Sequence, residues 1–260
     1  MTSLRILSLN LHNTGSESEF ITRCESITAL AADADPDLIG IQELTDYMPQ
    51  DLPYLTDRYA FYGKSRNSRL SDERSCILYR KERFRRIDAK TLWLSDTPEE
   101  PGSKFTFSVF PRIVTIMVLE DLESGKVFTF ANTHLDHLLP GTRIKQCAVL
   151  RDLLRDNMLG EFLILTGDFN STAVDPGAML LLHDPDLRLR NLEDPDLKSS
   201  IHGFLQSAVS HYRPIDLIMA SDFLNADLVK HLSGLYAGKF PTDHMPLLAE
   251  ISLPDSVSKQ

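Results

Sequence analysis

Apolar residues along this chain gather in short unbroken runs, and between the runs they recur every third or fourth position. Arg5-Ile-Leu-Ser-Leu-Asn10 lacks helical spacing and is predicted as a buried strand with Asn10 at its end. Ser16-x-x-Glu19 has the form of a capping box, and Phe20, Cys24, Ile27 and Ala31 follow at helical spacing, which predicts a helix to about Ala34. Asp35-Pro36-Asp37 ends it, because a residue before proline is pushed out of the helical region. Leu38-Ile-Gly-Ile-Gln42 is then a second buried strand that delivers Glu43 at its tip.

The second half repeats this grammar. Lys126-Val-Phe-Thr-Phe-Ala131 is a strand that ends in Asn132 and His134, a helix over 142–158 carries Ile144, Cys147, Leu150 and Leu154 on one side, and Phe162-Leu-Ile-Leu-Thr166 leads into Gly167-Asp168-Phe169-Asn170. Two related β-α-β layers follow, without a side-chain-level repeat. Further strands are predicted at 75–80, 84–88, 91–94, 113–119, 214–220 and 246–251, with Ser124-Gly125 as a hairpin turn. The acidic stretch 184–196 reads as solvated loop, residues 1–254 as one domain and 255–260 as a frayed tail.

Charge narrows the classes of partner. The formal net charge of −10 repels a polyanion on average, which disfavours long duplex nucleic acid and favours a small or short phosphorylated substrate. Three cysteines without paired spacing read as reduced thiols. The N-terminus lacks the pattern of a secretory signal and no apolar run approaches the roughly 18 residues of a membrane span, so a monomer in the cytoplasm is expected.

Candidate chemistry collects at strand ends. Asn10, Glu43, His134, Asp168 and Asn170 fall at or just past the C-terminal ends of predicted strands, the positions that build sites in open α/β folds. Carboxylates and amide oxygens are the hard ligands that Mg²⁺ accepts. Asp216 lies within an apolar strand, where a carboxylate is costly unless paired. Arg112, after Pro111 and before a strand, is a candidate for bidentate phosphate recognition, and His202 for lining a pocket. Trp93 and Phe110 read as packing.

Ser8-Leu-Asn10, Ile41-Gln42-Glu43, Asn132-Thr-His134-Leu-Asp136, Gly167-Asp168-Phe169-Asn170, Ile215-Asp216 and Thr242-Asp243-His244 together resemble the ordered motifs of the endonuclease/exonuclease/phosphatase superfamily. The resemblance implies a DNase-I-like α/β fold, a four-layer sandwich of two mixed β-sheets flanked by helices. It also implies a phosphoesterase that uses Mg²⁺, with Mn²⁺ able to substitute, and attacks the ester in line with water. By the same resemblance Asn10, Glu43 and Asp243 surround the metal, Asp168 and Asn170 handle the attacking water, and His134 and His244 contact the phosphate. Asp216 is the expected partner of His244. His12 stands where several nuclease branches carry a carboxylate, which bears on a second metal position.

Two rival readings are open at this point. Thr133-His134-Leu-Asp136-His137 partly resembles the zinc motif of metallo-β-lactamase-like hydrolases, although Asn132 replaces one of its histidines. The other rival is a catalytically inactive module that binds phosphorylated ligands on the same fold.

Overall fold

The computed structural model describes residues 2–67, 72–194, 199–204 and 213–254; the expected tail at 255–260 lies outside them. The chain opens with β1 (Ser3–Asn10), the helices α1 (Glu17–Ile21) and α2 (Cys24–Ala34), and β2 (Leu38–Leu44). A short helix α3 (Pro53–Arg58) leads to β3 (Tyr59–Tyr62), β4 (Arg74–Arg80), β5 (Phe84–Trp93) and β6 (Ile113–Asp121). The second half runs through β7 (Val127–His134), α4 (Pro140–Asn157), β8 (Leu163–Asp168), α5 (Pro176–Leu182) and β9 (Leu189–Leu192). It closes with β10 (Asp216–Ser221), β11 (Asn225–His231) and β12 (Leu247–Ser252).

Among the described residues these strands form two six-stranded mixed sheets, ordered β11-β12-β1-β2-β4-β3 and β5-β6-β7-β8-β10-β9. The pairs β1/β2 and β7/β8 are parallel, as a strand-helix-strand unit requires. Each unit buries an outer face under its helix: Leu7, Leu9, Ile39 and Ile41 meet Ile27 and Leu30 of α2, and Ala131, Leu163 and Leu165 meet Leu150 and Leu154 of α4. The inner faces pack on each other through Leu4, Ile6, Phe128, Phe130, Ile164 and Ile218. This is the four-layer DNase-I-like sandwich that the motifs imply. No helix among the described residues is long and apolar enough to cross a membrane, and all three cysteines are free thiols.

Strand alternation explains where the polar residues go. Along the inner face the side chains two apart run Leu4, Ile6, Ser8, Asn10 on β1 and Phe128, Phe130, Asn132, His134 on β7; on β8 they run Ile164, Thr166, Asp168. The layer between the sheets therefore grades from apolar at one end to polar at the other. Buried Asn132 joins the sheets there. It donates to the carbonyls of Ile41 and Cys76, both at 2.8 Å, and its Oδ1 accepts from Gln42 Nε2 at 2.7 Å and Thr166 Oγ1 at 3.0 Å. Gly40 makes room for this cluster, since a Cβ there would lie 2.0 Å from Thr166 Oγ1. Asn132→Ala strands several buried polar groups at once and is expected to cost about 3 kcal/mol, read as a lower midpoint of urea unfolding.

Three sequence expectations need correction. The single helix after Ser16 is two, because the chain bends at Thr22 and turns the Arg23 guanidinium inward to the carbonyls of Leu11, His12 and Pro241. The strands at 84–88 and 91–94 are one strand with an irregularity between Arg86 and Asp88. Within 184–194 the chain is not simply solvated: buried Asp184 accepts from the amides of Asp186 and Leu187, and β9 follows as an edge strand. Residues 195 and 196 lie outside the described residues.

Candidate active site

Four strand ends meet at the polar end of the sandwich. Asn10 pairs in register with Gln42, and His134 with Asp168, so each parallel unit presents two adjacent ends. At the tip of β2 the register with β4 slips between Ile41 and Leu44, and Glu43 adopts a left-handed φ of 61°. Such a bulge re-aims a side chain that regular alternation would send to the other face. Glu43 is then held by Asn10 Nδ2 at 2.9 Å and the Asn13 amide at 2.6 Å.

Asp168 stands at the centre. Its Oδ1 accepts from the Asn170 amide at 2.9 Å and its Oδ2 from Asn10 Nδ2 at 3.1 Å; His134 Nε2 lies 3.5 Å and His244 Nε2 3.9 Å from the same Oδ2. The antiparallel register of β8 and β10 sets Asp216 opposite Asp168, and His244 Nδ1 donates to Asp216 Oδ2 at 2.9 Å. The Asn170 side chain donates to the Leu135 carbonyl.

The protonation states follow from these neighbours. Burial, reinforced by the charge of Asp216, pushes the Asp168 carboxyl up to about 7. Burial opposes the charged form of His244, but Asp216, Asp168 and Asp243 outweigh it and hold its pKa well above the imidazole range. For His134, burial comes first and Arg112 and Arg66 add to it, so its pKa falls well below that range. One neutral and one cationic imidazole thus flank a single carboxyl that titrates near neutrality.

The donor set fits a divalent cation. Ligand atoms of Glu43, His134 and Asp168 lie within 4.8 Å of one another; those of Asp168, Asp216 and His244 are as close, but the charged His244 ring, bonded to Asp216, offers no lone pair to a metal. The Asn10 side-chain nitrogen donates to both Glu43 and Asp168, and its Oδ1 accepts from the His12 amide at 2.8 Å. Asp243 belongs to neither group; its Oδ2 pairs with His12 Nδ1 at 3.0 Å, and His12 in turn packs edge-on against Phe204. Asp136 accepts from Ser108 Oγ and from the amides of Leu138 and Leu139, and His137 Nδ1 faces Arg112 at 3.2 Å. His134, Asp136 and His137 therefore share no ligand group among the described residues, which removes the basis of the zinc motif.

Arg112 is buried and shares a small hollow with Glu43, Arg66, Glu73 and His134. His202 sits differently: its backbone amide donates to the Asp243 carbonyl, and its ring accepts from the Phe204 amide and packs on Phe240. Sequence reading missed Arg66, Glu73 and Asn13. Arg66 pairs with Glu73 and lies 4.4 Å over the Phe110 ring, while Asn13 bonds both Glu43 and Glu73. All three sit at the ends or outside of predicted strands, where no periodicity marks them. Phe110, expected as packing, is partly exposed at the rim and stacks on His137; Trp93 is buried as expected and donates to the Arg66 carbonyl.

Several solved structures share this fold. An endonuclease/exonuclease/phosphatase from Bacteroides vulgatus superposes with a TM-score of 0.88 at 22% identity, over 98% of this chain and 100% of the other. The mannosyl-6-phosphatase Bt3783 of Bacteroides thetaiotaomicron gives 0.82 at 24% identity, over 96% and 100%. The human Nocturnin catalytic domain, determined with a bound sulfate anion, gives 0.73 at 17%, over 97% and 95%. Among curated protein sequences none matches. At these identities the likeness is one of fold, but the sequence pattern of the Endonuclease/Exonuclease/phosphatase family matches residues 11–244, a span that contains Glu43, His134, Asp168, Asp216 and His244, and the chain belongs to that family.

Proposed function

We propose that the protein, acting as a monomer in the cytoplasm with residues 1–254 as its single domain, is a divalent-metal-dependent hydrolase of phosphoric esters. Its substrate is a small or short phosphorylated molecule, cleaved as a monoester or diester by in-line attack of water. The observation that carries this reading is the convergence on buried Asp168 of strand ends from both sheets: Asn10 Nδ2 bonds it and Glu43 together, His134 Nε2 and His244 Nε2 lie 3.5 and 3.9 Å from its Oδ2, and Asp216 holds the far side of the His244 ring.

Glu43, with Asn10 beside it, would hold Mg²⁺ or Mn²⁺, and Asp243 borders the site through His12. Bound there, the ion supplies Lewis-acid stabilisation of charge on the phosphate oxygens. Asp168 accepts a proton from the attacking water, while the Asn170 amide fixes the carboxylate's orientation. His244, kept charged by Asp216, offers its Nε2 proton to a phosphate oxygen. His134 is the second imidazole at the phosphate, and Arg112 lies within the same wall of the cleft. Positioning and charge stabilisation dominate phosphoryl transfer, so no covalent nucleophile is required.

A panel of phosphomonoesters and phosphodiesters, assayed with Mg²⁺ and with Mn²⁺, tests the reading. Metal-dependent release of phosphate or of an alcohol from at least one class is expected. Binding of phosphorylated ligands with no hydrolysis of any would leave an inactive binding module instead.

A further inference from the structure

Beside the cleft, two loops display large apolar side chains on a rigid support. The loop between β5 and β6 exposes Phe107 at 76% and Val109 at 49%; the turn between β7 and α4 exposes Leu138 at 55% and Leu139 at 39%. Buried Asp136 fixes one loop against the other through Ser108 Oγ and the amides of Leu138 and Leu139, all at 2.9 Å. Gln146 holds the Asp136 amide, and Lys104 Nζ reaches the Val109 carbonyl. Exposed apolar side chains on a backbone held in this way mark a contact surface rather than a fraying loop.

The surface is concave and polarised. Phe105, Phe107, Leu139 and Pro140 line a hollow of about 530 Å³, with Lys145 and Asp96 at its edge. That volume is in the range of a small-molecule site. From the hollow, Val109 leads to Phe110, Phe110 stacks on His137, and His137 meets Arg112, which shares a wall with Glu43 and His134. Apolar at one end, and at the other lined by Arg112 beside Glu43, where the divalent ion would bind, this path is complementary to a molecule that carries an anionic head and an apolar body.

We infer that the hollow between the 105–110 loop and the start of α4 receives the apolar part of the substrate, making that substrate an amphiphilic phosphoester. The inference rests on the phosphoesterase reading for the position of the head group. A concave hollow suits an inserted chain better than the face of a bilayer, which a flat or convex surface would meet.

Non-hydrolysable n-alkyl phosphonates, ethyl to octyl, titrated by calorimetry into the Mg²⁺-loaded protein, test it without relying on turnover. Affinity is expected to rise about two- to fourfold per added methylene until the hollow is filled. Phe107→Ser combined with Leu139→Ser should flatten that dependence, whereas Ile87→Ser, an exposed position on β5, should keep it. Equal affinity for ethyl and octyl phosphonate, no binding of either, or an undiminished slope in the double variant overturns the proposal. Co-sedimentation with phosphatidylglycerol vesicles alongside a flat alkyl series would replace it with docking on a membrane. A chain-length effect in a protein that hydrolyses no ester would keep the hollow and remove the catalytic reading.

Discussion

Asp168→Asn is expected to lower turnover by at least about 10³-fold and, in the metal-free protein at pH 8, to raise stability. The two effects have one cause. The folded-state pKa of Asp168, about 7, stands above its ordinary value of 3.8, so the folded protein holds a proton that the unfolded chain releases. The stability lost to this carboxylate grows as pH rises from about 4 to 7 and is constant above. Asparagine cannot ionise and removes that loss, but it returns only one of the two acceptor oxygens that Asn170 and Asn10 use, which offsets part of the gain. The advantage of the variant should therefore shrink as pH falls from 8 to 5. Thermal unfolding at the two pH values, with turnover measured on the same preparations, reads both effects. A variant that is less stable at pH 8, or one that retains near-normal turnover, contradicts the role given to Asp168.

His244→Ala should cut turnover by about 10²- to 10⁴-fold with the fold intact, since a cation 3.9 Å from Asp168 is lost. Asp216→Asn separates charge from presence. Burial disfavours the charged imidazole, and Asp216 is foremost among the carboxylates that overcome it; without that carboxylate the folded pKa of His244 drops. A raised histidine pKa means that the charge is present at low pH and is lost as pH rises through the folded value. The alkaline limb of the wild-type rate profile should accordingly lie above the ordinary imidazole range, and Asp216→Asn should move it to lower pH. An unmoved limb would show that another group sets it.

Much of this fold could be read from sequence because the two parallel units are built from buried strands, whose unbroken apolar runs end sharply at Asn10, Glu43, His134 and Asp168. Edge elements were harder. In β11 most side chains are exposed or half-buried, so Asn225–His231 carries no strong apolar run, and β3 and β9 are only four residues long. The break between α1 and α2 was hidden because its cause is distant: Arg23 turns inward to a carbonyl at Pro241. The same limit applies at the cleft. Motifs named Asn10, Glu43, Asp168 and His244, but the left-handed turn at Glu43, the His12–Asp243 pair and the Arg66–Phe110 contact arise from long-range packing that spacing does not encode. Asn132, part of a motif, sits one alternation before the cleft and binds the sheets to each other.

Equilibrium binding of Mn²⁺, followed by the resonance of the free ion, tests most directly whether the strand ends of both sheets converge on one cation. The wild-type chain should show a single tight site, and Glu43→Gln should weaken it at least about tenfold. Unchanged affinity in that variant, or binding at a site that Glu43 does not touch, would contradict the account.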